Sequence, residues 1–143
     1  MLRKTIASIL VLAVTCGGGI RTVRADEQAA VEQAKNAAAA WLKLVDDGKY
    51  QQSWDQAAQI FKGHVTADRW EQMVGAVRKP LGAVVSRNFK LAHYSTTLPG
   101  APDGQYVVIQ YDTTFANKKA AVETVTPMLD TAGQWRVSGY FIN

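Results

Sequence analysis

Four polar residues scattered through the second half of the chain can be drawn into one row. Lys90, Asp112, Glu123 and Tyr140 each lie in a stretch that alternates apolar with polar side chains. If the intervening turns close symmetrically, Lys90 falls opposite Asp112, Asp112 opposite Glu123, and Glu123 opposite Tyr140, because short hairpin turns nearly fix register. Two neighbouring carboxylates raise each other's pKa, a known route to general acid–base chemistry. The same register weighs against that use. The row shares its face with Asn88, Gln110, Arg136 and Ser138, whereas the opposite face carries Phe89, Leu91, Val107, Ile109, Tyr111, Phe115, Val122, Met128, Trp135, Val137 and Phe141. Antiparallel sheets commonly wet one face, so the row is expected on the outer side, in water, with its carboxylates screened. A one-residue slip in any hairpin would dissolve it.

A second candidate arises from GQWRVSGYFIN at the end of the chain. In this register Gly139 points into the core beside Thr124 and Tyr111. The missing side chain either admits the Tyr111 ring or leaves a small hollow. His93, Thr113 and Thr126 would add polar groups to its rim, and Trp54 and Trp70 would cover it from the helices. The bland alternative is ordinary core filling with every hydroxyl bonded internally.

Other chemistries find little support. His64 and His93 have no metal-site spacing, and two histidines without cysteine are a weak ligand set. Neither a nucleophile elbow nor a phosphate-binding loop is present. No cofactor is expected.

The elements that must position these residues fall into two halves. In the first, Val31, Ala34, Ala38, Trp41, Leu42 and Val45 recur at helical steps, and Gly48 is a suitable stop. A shorter helix is expected over 49–61, with Tyr50, Trp54 and Phe61 on its stripe. Thr66 can cap a third, whose stripe is Trp70, Met73, Val74 and Val77 and whose end is marked by Pro80 and Gly82. The second half reads as strands over 84–97, 105–115, 120–129 and the closing stretch, separated by turn signals at 98–104, 116–119 and 130–133. Three N-terminal helices packed on one face of a curved four-stranded antiparallel meander make an α+β domain.

The N-terminus reads as a leader. Arg3 and Lys4 precede an apolar run from Ile6 to Val14, too short to span a bilayer but suited to a signal peptide. Val23-Arg24-Ala25 offers a small-x-small cleavage site, giving a leader over 1–25 and one domain over 26–143. Cleavage near Gly17–Gly19 and lipid attachment at Cys16 are alternatives. The chain carries 16 Lys and Arg against 12 Asp and Glu. Four of the basic residues (Arg3, Lys4, Arg21 and Arg24) precede the cut, so the mature chain has twelve of each sign. That balance lacks the electrostatic footprint of nucleic-acid binding. Cys16 is the sole cysteine, so a mature domain without it has no disulfide and must hold itself together by packing.

Several stretches together resemble the bacterial domain of unknown function numbered 4019. They are Trp41, Asp47-Gly48, Ser53-Trp54, Pro80-Leu-Gly82, Ser86-Arg87, LPGAPDGQYVVIQYDTTFANKKAAVETVT (98–126) and GQWRVSGYFIN. The resemblance implies an exported single domain and carries no mechanism. Its architecture is similar to the cystatin-like and nuclear-transport-factor-2-like cone, although no strands here precede the third helix.

The reading that follows is an exported, periplasmic or secreted, non-catalytic domain. It is expected to bind a small apolar ligand or a partner protein near Gly139 and Tyr111, or through an exposed aromatic patch. No membrane span is expected. The alternative is a small cofactor-free enzyme of the ketosteroid-isomerase type, which needs one carboxylate and one tyrosine facing a cavity. A homodimer through the outer sheet face is a further possibility.

Overall fold

The computed structural model describes residues 19–143, with side chains from Val23 onward. Most of the expected leader, Cys16 included, lies outside the described residues.

Four helices precede four strands: α1 (Gly19–Asp46), α2 (Tyr50–Asp55), α3 (Gln59–His64), α4 (Ala67–Leu81), β1 (Val84–Ser95), β2 (Tyr106–Phe115), β3 (Lys118–Leu129) and β4 (Trp135–Ile142). The α+β class and the antiparallel meander, in the order β1-β2-β3-β4, agree with the sequence. The helix count differs. The expected helix over 49–61 breaks at Gln56–Ala58, where the Ala58 N–H donates to the Val137 carbonyl at 2.8 Å. That bond ties the chain to β4 and takes the place of helix continuation, and the neighbouring Ala57 is fully buried.

The helix α1 runs along the inner face of the sheet. Ala34 and Ala38 are completely buried, and their small side chains let the helix backbone approach the strands closely. Trp41, Leu42 and Val45 complete the stripe against Val107, Ile109, Tyr111, Val125 and Val137. The helix α4 is capped by Thr66, whose hydroxyl accepts from the Arg69 N–H at 3.3 Å; such a cap contributes about 1 kcal/mol. Its other end leads through Gly82, at φ +77°, a left-handed value that favours glycine.

The register departs from the symmetric one. The β2–β3 turn is two residues long, with Phe115 opposite Lys118. It is held there by α4: Asn117 donates from its backbone to the Leu81 carbonyl at 2.9 Å and from Nδ2 to the Pro80 carbonyl at 3.0 Å. Neither central residue has positive φ, so the turn lacks the twist that a tight hairpin favours. A bulge opposite Thr114 follows immediately. The net slip is one residue. Tyr111, rather than Asp112, sits opposite Glu123, and Asp112 sits opposite Val122. Every side chain of β3 therefore lies on the face opposite to that expected. A second bulge, at Ser138, turns Tyr140 inward and Gly139 and Phe141 outward, while Trp135 and Val137 stay inside.

Candidate functional site

The slip carries Glu123 from the outer face into the core, where it is completely buried. The proposed row is thus divided. Lys90, at a bulge in β1, reaches Asp112 on the exposed outer face at 3.1 Å. Glu123 and Tyr140 share the inner face, and the Tyr140 hydroxyl donates to Glu123 Oε2 in a short hydrogen bond. The two carboxylates are not neighbours.

Glu123 belongs to a polar cluster assembled from six elements. Arg87, on β1 opposite Thr113, donates from Nε to Glu123 Oε1 at 2.7 Å and from Nη2 to Oε2 at 3.2 Å. Thr113 Oγ1 donates to Oε1 at 2.6 Å. The same guanidinium donates to both oxygens of Asp46, at 2.7 and 2.9 Å. Arg78 donates to Asp46 Oδ1 at 2.7 Å and to the Tyr140 hydroxyl at 3.4 Å. Its guanidinium carbon lies 5.1 Å from the centroid of the Phe115 ring. Two guanidinium groups thus face two carboxylates, and the planar fork of Arg87 bridges them.

The electrostatics follow from burial and partners. Burial pushes the Asp46 carboxyl up, but hydrogen bonds from Arg87 and Arg78 outweigh it and hold the group below the ordinary carboxylate value. Burial, with the Glu123 charge beside it, pushes the Tyr140 phenol far up. Burial does the same to Tyr111. Because the folded-state pKa of Asp46 is depressed, its contribution to stability is present above its unfolded pKa and is lost as pH falls through the folded one. Denaturant unfolding at pH 6 and pH 3 should show a loss of stability in acid that Asp46→Asn makes smaller. An equal loss in both proteins would place the acid sensitivity elsewhere.

The Glu123 carboxylate is saturated, whereas the buried Nε of Arg78 has no hydrogen-bond partner. Each Glu123 oxygen already accepts two hydrogen bonds, which leaves no position for a substrate proton. Among the described residues, no group of three His, Cys, Asp or Glu side chains is gathered as metal ligands would be.

Of the residues expected around the Gly139 hollow, only Thr126, opposite Gly139 across β3 and β4, meets it. Tyr111 is buried on the inner face, whereas Thr124, bonded by Gln110 Nε2 at 3.4 Å, belongs to the outer one. His93 is exposed. The Trp54 indole donates to the Val65 carbonyl at 2.7 Å, and the Trp70 indole donates to Ser53 Oγ at 2.9 Å. Gly139 does border a shallow hollow of about 310 Å³, but on the outer face, with Ile60, His64, Thr126 and Ser138.

A different feature lies on the other side of Tyr140. Its ring, with Trp70, Met73, Val74, Val77 and Ile142, lines an apolar groove of about 250 Å³ between α4 and β4. Met73 is 48% exposed, Val77 50% and the adjoining Phe141 52%.

Sequence reasoning missed Asp46 and Arg78 as cluster members, although a signal existed. Arg78 continues the four-residue spacing of Trp70 and Val74, and Asp46 continues that of Ala38 and Leu42, which places both on buried faces.

The family model described as "Protein of unknown function (DUF4019)" matches residues 37–140. The chain belongs to this family. Every member of the polar cluster in this DUF4019 chain, from Asp46 to Tyr140, falls within the matched span. No curated protein and no solved structure matches the DUF4019 chain. No helix among its described residues is long and apolar enough to cross a membrane.

Proposed function

We propose that this protein is an exported, non-catalytic binding domain whose α4–β4 groove receives an apolar group. One observation carries the reading: three large apolar side chains, Met73, Val77 and Phe141, stand about half exposed around a single groove. Contiguous apolar surface of this kind marks interaction sites more often than scattered exposed residues do. The leader pattern of Arg3-Lys4 followed by Ile6–Val14 supports export. The packing of helices on one face of the meander supports kinship with the cystatin-like cone. The enzymatic alternative gains the contact between Glu123 and Tyr140, but both groups are committed to each other and to the arginines.

The test is titration with the apolar fluorophore 8-anilinonaphthalene-1-sulfonate. Val77→Asp places a charge in the groove at a half-exposed position, so the fold should survive, with an unchanged melting temperature. Affinity should fall by about tenfold or more, equivalent to ~1.4 kcal/mol. Equal affinity in the two proteins would put the bound probe elsewhere and overturn the reading.

A further inference from the structure

We propose that the groove receives an extended apolar segment of another protein, added to β4 as a fifth strand; this rests on the binding function proposed above. β4 is the last strand of the sheet. Val122 and Asn143 exchange both backbone hydrogen bonds at 3.0 Å. In an antiparallel pair, bonded and non-bonded positions alternate, so Phe141 with Thr124 is the next bonded pair. The N–H and C=O groups of Tyr140 and Ile142 therefore point away from β3. Earlier in the strand the edge is occupied, because Ala58 donates to Val137. Among the described residues, nothing pairs with the edge beyond the Ser138 bulge, which lies beside the groove.

Three features select a strand over other occupants. Between Gly139 and Ile142 there is no lysine, proline or other charge, the devices that ordinarily blunt a sheet edge. The groove, at about 250 Å³, falls below the ~300–1,000 Å³ of small-molecule pockets. Three half-exposed side chains offer at most a few hundred Å² of surface, whereas a stable dimer buries about 800 Å² per partner. A single extended segment fits both limits. Main-chain bonds to Tyr140 and Ile142 would hold it, and alternate side chains would enter between Met73, Val77 and the Tyr140 ring. Among the described residues no charged side chain lines the groove, so the side chains that enter it should be uncharged and β-branched or aliphatic.

The probe is a fluorescein-labelled heptapeptide, acetyl-Thr-Val-Thr-Val-Thr-Val-Thr-amide, with two isomers N-methylated on the valine or on the threonine amides. Strand addition uses only one set of amides. One isomer should therefore lose about tenfold or more in affinity and the other remain within about twofold. Val77→Asp should weaken the parent peptide by a similar factor. Equal behaviour of the two isomers overturns strand addition. If the peptide fails to bind while the fluorophore still binds in a Val77-dependent way, strand addition fails and the binding function stands. If neither binds, both fail. A concentration-dependent dimer in sedimentation that Val77→Asp abolishes would identify a second copy as the occupant and overturn the proposal.

Discussion

Replacing Arg87 with methionine is expected to remove about 3–5 kcal/mol of stability, the usual cost of stranding a buried charge. Methionine keeps much of the apolar stem, so what is lost is the guanidinium. Glu123, completely buried, would keep only Thr113 and Tyr140 as donors. Asp46 would retain Arg78, so the damage should centre on Glu123. Against a total of about 5–15 kcal/mol, the variant should unfold at much lower urea with an unchanged slope. The deficit should also narrow as pH falls toward the carboxylate range, because Arg87 helps to hold the Asp46 carboxyl below its ordinary value and the wild-type protein loses that contribution in acid. A loss below about 1 kcal/mol would reduce the bridge to a screened surface pair.

Trp41→Ala should cost a similar amount, about 3–5 kcal/mol, by a different route. Trp41 is 3% exposed, and its ring lies 5.3 Å from Tyr140, 5.7 Å from Trp70 and 6.3 Å from Phe61. Its indole N–H donates to the Ser53 carbonyl at 2.8 Å, linking α1 to α2. Truncation opens a cavity between those helices and leaves that carbonyl without its donor. Trp41→Phe restores most of the volume but not the bond, and should cost about 1–2 kcal/mol. Neither variant alters a charge, so their deficits relative to wild type should stay level with pH while that of Arg87→Met shrinks. Trp41→Phe as damaging as Trp41→Ala would mean that the bond, rather than ring packing, dominates.

The contrast between these sites explains what could be read from the chain. The stripe Ala34–Ala38–Trp41–Leu42–Val45 is a local pattern, and Gly48 and Gly82 mark the ends of their helices by residue type, so fold class and element order were legible. The faces of β3 were not. Ala121, Glu123, Val125 and Pro127 alternate with Val122, Thr124, Thr126 and Met128, and neither set is clearly the apolar one. The decision falls to Asn117, which is held by carbonyls of α4 some 36 residues earlier in the chain. No local rule anticipates that contact. The Asp46–Arg78–Arg87–Glu123 cluster joins partners separated by 32 to 41 positions. Each residue taken alone reads as an ordinary solvated charge, and only the helical spacing of Asp46 and Arg78 hinted otherwise.

The β2–β3 turn also constrains how this chain can vary. The two-residue loop and the bulge opposite Thr114 together set a parity that decides whether Glu123 or Val122 meets Arg87. A single residue added to β3 between Lys118 and Val122, with Phe115 still opposite Lys118, would invert that parity along the rest of β3 and strand the guanidinium against an aliphatic side chain. Losing the bulge at the same time would restore it. Length changes at this hairpin should therefore be tolerated in compensating pairs, and a relative with one residue more in the turn should carry a regular ladder where this chain carries a bulge.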